Sequence, residues 1–487
     1  MRYSTLLLIG LLFTGVSSAT AQDEFPVRHG LPVNNYGDTL QWPEFQEALL
    51  AVDSLNPLDV SLFNMIRGYA DDGYCFGMCL LAGAVYVEDG YMGLCKPVES
   101  YAVSDTTVSS GQDTLTPFWP IFKHAYHVLW ARQFSQPMVR LIAEYVANGN
   151  FVDPVNTFNL VESYLAGEEI PVVLISESLS VATGVPAMGG MHAVLAYKTE
   201  KNGTTWKIHV YDPSRPYIIH PDFYRTDSNV ITINSTSNTW SYYGPAGAPI
   251  WNGFIYTIPG IRLLVPSTNP LLISNLSQTV AIIVVNGGKI TGITSADTEK
   301  KPVIVPWGYA GDGLPHFYIL SNVEDGQYQV EIESDEGYQL LIAGEGKVAE
   351  IKREANGHTV DLLTVNGLTS DKLAIDLSNG TSGTYSMTIH DVKSYQKINS
   401  FSVAGLALNE GENIIFASAG SGTEIYASRP IDVTIKTIIY KSGEKRENVF
   451  SDITLLPGNV LAINVQENND VPFLAYKPWR GKLWVRK

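Results

Sequence analysis

Apolar and polar residues follow two rhythms along this chain, and the change falls near residue 265. Before it the pattern is mixed. From Pro137 to Asn148 apolar residues recur at helical spacing behind a Pro suited to a first turn, and Gly149 follows as a stop. From Asn156 to Ala166 the device repeats, with Leu160, Val161, Tyr164 and Leu165 on one face and Gly167 behind them. Pro171 to Ser176 then reads as a buried strand. Beyond residue 265 helical spacing almost disappears. Short β-branched runs at Thr279 to Val285, Tyr328 to Ile332, Tyr338 to Ile342, Thr359 to Leu363, Tyr385 to Ile389, Ile431 to Tyr440 and Val460 to Val465 are separated by Gly, Asn, Asp and Ser turns. That is the pattern of one or two β-sandwiches. The expectation is an α+β chain, with a mixed domain over residues 22–265 and sandwich domains over 266–395 and 396–487, the last cut placed near Lys393 to Asn399.

Composition narrows the class. With 487 residues, 45% of them apolar and 17% charged, the chain is neither disordered nor collagen-like, and its three cysteines cannot be a disulfide scaffold. A formal charge of −17 argues against a nonspecific grip on nucleic acid or on an anionic membrane, because both need a basic face. The first 21 residues read as a signal peptide: Met1-Arg2 is the basic start, Leu6 to Gly15 the apolar stretch, and Ala19-Thr20-Ala21 the small-x-small cleavage site. No later run is long enough for a transmembrane anchor. Export to the periplasm, the cell surface or the medium is therefore expected. In such an oxidising setting Cys75, Cys79 and Cys95 leave one thiol over after any pairing.

The densest chemical signal runs from Asp71 to Tyr86, where a glycine turn leads into a small apolar helix with Cys75 at its N-terminal end. Helix-end amides stabilise an anion there, which suits a nucleophilic thiolate. The competing reading is a structural buried thiol or half of a disulfide. A second segment bears on that choice. Gly189 to Lys198 alternates as a strand, Asn202-Gly203 signals a hairpin turn, and Trp206 to Tyr211 alternates again before Asp212-Pro213. Pairing centred on Asn202 makes positions summing to 404 face each other, as His192 and Asp212 do. In that register the carboxylate would fix the imidazole's tautomer and aim its ring at a third group, and a one-residue bulge would upset the placement.

Cysteine at the start of an apolar helix, a helical insertion, a buried strand, then a glycine-preceded His opening a hairpin that closes on Asp-Pro: this order resembles the papain-like cysteine hydrolases. Over residues 40–265 the chain looks most like their bacterial C39-like peptidase branch, whose pattern runs Cys, His-x-Val, Asp-Pro, and Ala166 to Ile175 is similar to that family's approach to its His. The resemblance implies a papain-like catalytic domain in which Cys75 is the nucleophile, His192 the general base and then acid, and Asp212 the orienting acid. Six positions before the nucleophile, where relatives commonly carry a Gln as oxyanion donor, this chain has Tyr69. The Cys75 backbone amide is one candidate donor, and the second is left unassigned.

Neighbouring residues add little chemistry. Asp71 and Asp72 would oppose a thiolate at Cys75 unless they point away, pair with Arg67 or bind a cation. His124 and His127 read as helix-face residues rather than metal ligands, and two thiols at the Cys75–Cys79 spacing do not make a zinc site. No cofactor and no metal are expected. The sequence has no Gly-x-Ser-x-Gly, complete phosphate loop or His-Glu-x-x-His. The preferred function is a secreted cysteine peptidase or amidase that acts on a peptide or protein substrate through a thioester, with the β domains engaging substrate, partner, cell wall or surface. The alternatives are a non-catalytic surface or adhesion protein on the same scaffold, and an acyl transferase or cell-wall amidase.

Overall fold

A computed structural model of the chain describes residues 24–35, 37–101, 118–148, 152–180, 187–217, 219–226, 228–243, 250–271, 280–295, 303–309, 315–321, 323–354, 357–370, 372–419, 422–466 and 471–478. The expected signal peptide at 1–21 lies outside them, as do the side chains of Asp71 and Asp72. The chain is α+β with more than one sheet. Among the described residues seven helices come first: α1 Phe25–Arg28, α2 Trp42–Ala48, α3 Pro57–Ile66, α4 Cys75–Val87, α5 Trp119–Ala131, α6 Gln136–Ala147 and α7 Pro154–Ala166. Their starts follow local chemistry. Asn56 and Asp153 cap α3 and α7 by accepting the amides of Leu58 and Asn156 at 3.0 Å each. A Pro occupies the first or second position of both helices.

A seven-stranded antiparallel sheet follows, built from β1 Pro171–Ser180, β2 Ala187–Asn202, β3 Thr205–Tyr211, β4 Val230–Asn234, β5 Thr239–Tyr243, β6 Ile250–Trp251 and β7 Ile255–Pro259, with the short α8 Pro221–Arg225 between β3 and β4. The spatial order is β6-β5-β4-β3-β2-β1-β7, so β2 runs between β1 and β3. Helix α4 packs on β2. Its residues from Phe76 to Val85 are all buried, which explains why its apolar residues show no stripe. Gly77 lets α5 come close: a Cβ there would run into the Tyr126 carbonyl and lie 2.8 Å from the Trp130 nitrogen.

From residue 280 onward the chain makes a nine-stranded and an eight-stranded antiparallel sheet, counted over the described residues. Successive hairpins alternate between them: 338–353 in the first, 359–378 in the second, 383–408 in the first, 413–427 in the second, 431–455 in the first, 459–478 in the second. The inner faces share one core. The expected division at 395/396 falls in the turn between strands Gly383–Ser394 and Lys397–Leu408, which pair along their length, and both sheets draw strands from either side of it.

Part of the first of these sheets is buried on both faces, whereas its edge strand Glu444–Leu455 is largely exposed. In β8, Val280–Asn286, the side chains of Ala281, Ile283 and Val285 join the sandwich core, whereas Ile282 and Val284 join the core of the helical region together with Phe317, Ile319 and Leu341. A strand covered on both sides must be apolar, and β8 is so from Val280 to Val285, before its exposed last residue Asn286. Polar ties reinforce the contact: Tyr440 donates to Asp53 at 2.9 Å and Ser61 to Glu350 at 3.1 Å. Among the described residues no helix is long and apolar enough to cross a membrane.

Candidate functional site

Cys75 is the first residue of α4 and is half-buried. The residues before it are held from several sides. Gly73 adopts φ +126°, open to glycine and strained for other residues. The buried Tyr74 donates its backbone N–H to Asn35 Oδ1 at 2.6 Å and its hydroxyl to the Asp38 carbonyl at 2.7 Å. Its ring stacks on His127, with centroids 4.0 Å apart and planes 11° from parallel. Burial drives the His127 imidazole down to about 3, so it stacks as a neutral ring.

His192 lies on β2, paired across to Ile175 on β1. Its Nε2 is 2.7 Å from Asp212 Oδ1, and both side chains are buried. The route to this contact differs from the expected register. The hairpin closes on Gly203-Thr204, with Gly203 at φ +57°, so Asn202 pairs with Thr205 and Lys198 with His209. Tyr197 is then bulged out, and Ala196 pairs with Val210 and Leu195 with Tyr211. The sum of 404 is therefore not realised. One step past the last pair, Asp212 stands across from Val194 and is a diagonal neighbour of His192 on the same face. The bulge that threatened the pairing is what restores it.

The acid is fully engaged. Tyr242 donates its hydroxyl to Asp212 Oδ2 at 2.7 Å, and the Ser214 amide donates to Oδ1 at 2.8 Å. Trp251 sits beside the imidazole, centroids 5.7 Å apart. Burial alone would push His192 down. The Asp212 carboxylate overrides this by charge and hydrogen bond, and with a further upward pull from Cys75 the imidazole rises to about 10. Burial pushes the Asp212 carboxyl up, but the His192 charge and the bonds from His192, Tyr242 and Ser214 outweigh it and leave the carboxyl below its ordinary value. With Nε2 committed to the acid, Nδ1 is the ring nitrogen left for the hydrogen bond with Cys75.

Cys75, His192 and Asp212 thus come together from α4, β2 and the end of β3. Cys79 and Cys95 are both free thiols: Cys79 is buried and Cys95 exposed. His124 turns to the surface and pairs with Glu47 at 2.7 Å, away from the buried His127. Tyr69 points its hydroxyl at the Val285 carbonyl, 3.2 Å away in the contact with the sandwich. Sequence reasoning missed Asn35, Tyr242 and Trp251, because no periodicity or spacing links them to Cys75. A cavity of about 890 Å³ lies at the other end of α4, lined by Phe25, His29, Tyr86, Glu169 and Tyr197, and it includes none of the three site residues. Comparison with protein-family models, curated proteins and solved structures found no match.

Proposed function

We propose that this chain is an exported papain-like cysteine hydrolase that cleaves peptide or other amide bonds. Cys75 is the nucleophile, His192 the base and then the acid, and Asp212 the group that orients and charges the imidazole. The observation that carries the reading is the buried 2.7 Å contact of His192 Nε2 with Asp212 Oδ1 beside the first turn of α4. Transfer of the Cys75 proton to Nδ1 makes a thiolate–imidazolium pair, and the nearby carboxylate favours the charged ring. The sulfur adds to the substrate carbonyl, the imidazolium gives its proton to the leaving amine, and water releases the acyl group from the thioester. Groups on rigid elements need little rearrangement to reach this geometry.

The test is acylation of Cys75 by an activated ester such as p-nitrophenyl acetate, followed as release of p-nitrophenol. A burst of one equivalent that is lost in Cys75→Ser and in His192→Ala is the expected result. Absence of a burst in the folded wild type would leave the non-catalytic surface protein as the better reading. Adding a primary amine as competing acceptor separates hydrolysis from acyl transfer.

A further inference from the structure

Asn35 lies far before Cys75 in the chain, yet it touches both loops that frame the site. Its backbone N–H donates to the carbonyl of Pro213, the residue after Asp212, at 2.8 Å. Its side-chain Oδ1 accepts the N–H of Tyr74, the residue before Cys75, at 2.6 Å. Its amide also lies over Gly73, where a Cβ would come within 2.5 Å of Asn35 Nδ2. The orientation of the amide follows from these contacts. Oδ1 is the only side-chain atom able to accept a backbone N–H, so Nδ2, with two protons to donate, is the end left facing the turn into Cys75. Asn35 is half-buried, so these donors are not sealed inside the protein.

A thiolate adding to a carbonyl needs donors for the oxygen that becomes charged, and such a site normally offers two. The Cys75 N–H at the open end of α4 is one. Tyr69, at the position that would supply the second, is turned toward Val285 instead. We propose that Asn35 Nδ2 is the second oxyanion donor, delivered from the N-terminal segment rather than from the loop before the nucleophile. This rests on the hydrolase reading. In the step concerned the sulfur–carbon bond forms, the carbonyl π pair moves onto oxygen, and that oxyanion accepts hydrogen bonds from the Cys75 N–H and Asn35 Nδ2. When it collapses, the C=O bond reforms and the carbon–nitrogen bond breaks, and the amine departs with the proton from His192.

Two reactions of the same sulfur separate this role from mere positioning. Alkylation by iodoacetamide needs a thiolate but creates no oxyanion, whereas acylation by p-nitrophenyl acetate needs both. Asn35→Asp keeps the acceptor for Tyr74 and removes the donor, and its added charge on the sulfur is reported by the alkylation rate itself. In a Cys95→Ser background, the ratio of acylation to alkylation at Cys75 should fall on the order of a hundred- to thousandfold in Asn35→Asp. Asn35→Ala, which removes the donor without adding charge, is read by the same ratio and serves if the first variant fails to fold. A parallel fall of both rates, or an unchanged ratio, overturns the assignment of Asn35 while leaving the hydrolase intact. A wild type that alkylates at Cys75 but never acylates overturns the hydrolase reading and this assignment with it.

Discussion

The Cys79 thiol donates to the carbonyl oxygen of Ala193 at 3.4 Å, one helical turn beyond Cys75 and one residue beyond His192. This contact lies where the buried α4 packs on β2, one turn along the helix from Cys75. Burial pushes the Cys79 thiol well above its ordinary range, so it remains a neutral donor. In the native protein a small alkylating agent should modify Cys75 and the exposed Cys95 and leave Cys79 untouched, with all three modified after denaturation. Peptide mapping by mass spectrometry reads this directly. His192→Ala should slow modification at Cys75 without changing Cys95, and equal slowing at both would count against any link between His192 and the sulfur.

The His192–Asp212 pair makes stability depend on pH at both ends. The imidazole is raised from 6.5 to about 10 in the fold, so its contribution is complete below 6.5 and is lost as pH rises through about 10. The carboxyl is lowered from 3.8, so its contribution is present above 3.8 and is lost as pH falls through its depressed folded value. The melting temperature of the wild type should therefore exceed that of Asp212→Asn most between 3.8 and 6.5, with the gap narrowing toward about 10. Thermal melts across this range check it. A gap that widens with rising pH would reverse the sign of the coupling.

Tyr242→Phe should weaken the site without unmaking it. The substitution leaves Asp212 Oδ2 buried without its 2.7 Å donor, a loss of about 1–3 kcal/mol for a buried polar group. Denaturant unfolding should register that loss. The Cys75 acylation rate should fall less than in Asp212→Asn, because Oδ1 still holds His192. A fall as large as that of Asp212→Asn would mean that Tyr242 acts on the reaction itself.

Cutting the chain after residue 265 should yield an insoluble product rather than an independently folded unit. The helical region packs against Ile282, Val284, Phe317, Ile319 and Leu341 of the first sandwich sheet, and their removal exposes the apolar residues beneath. Expression of residues 22–265 beside the chain from 22 onward, compared by soluble yield and cooperative melting, tests it. A truncated chain that melts cooperatively would show that the contact is dispensable.

Local signals made much of this architecture legible. Pro at helix starts and Gly at their ends located α6 and α7 to within a few residues, and β-branched runs between turn residues located strands such as Tyr338–Gly344 and Ile431–Lys441, while others such as Lys347–Arg353 and Glu444–Leu455 went unmarked. Cys75 was legible because a helix start is a local event. The His192–Asp212 contact was legible only in part. Its partners stood out, but the register depended on a turn one or two residues later than Asn202 and on a bulge that no residue type announces. Asn35 and Tyr242 were not legible at all, since their roles arise from chain crossings between segments distant in sequence. The continuous apolar character of β8 marked a strand without saying what would cover each of its faces.

The bulged Tyr197 makes the site a matter of odd and even. Side chains alternate across a sheet, so with one residue fewer in that arm of β2, Asp212 would project from the side opposite to His192 while nearly every backbone hydrogen bond of the hairpin reformed. Lengths can change freely only in matched pairs, one residue in each arm, out toward Gly203-Thr204. A single deletion at Tyr197 is thus expected to part Asp212 from His192 while Cys75 keeps its place at the start of α4.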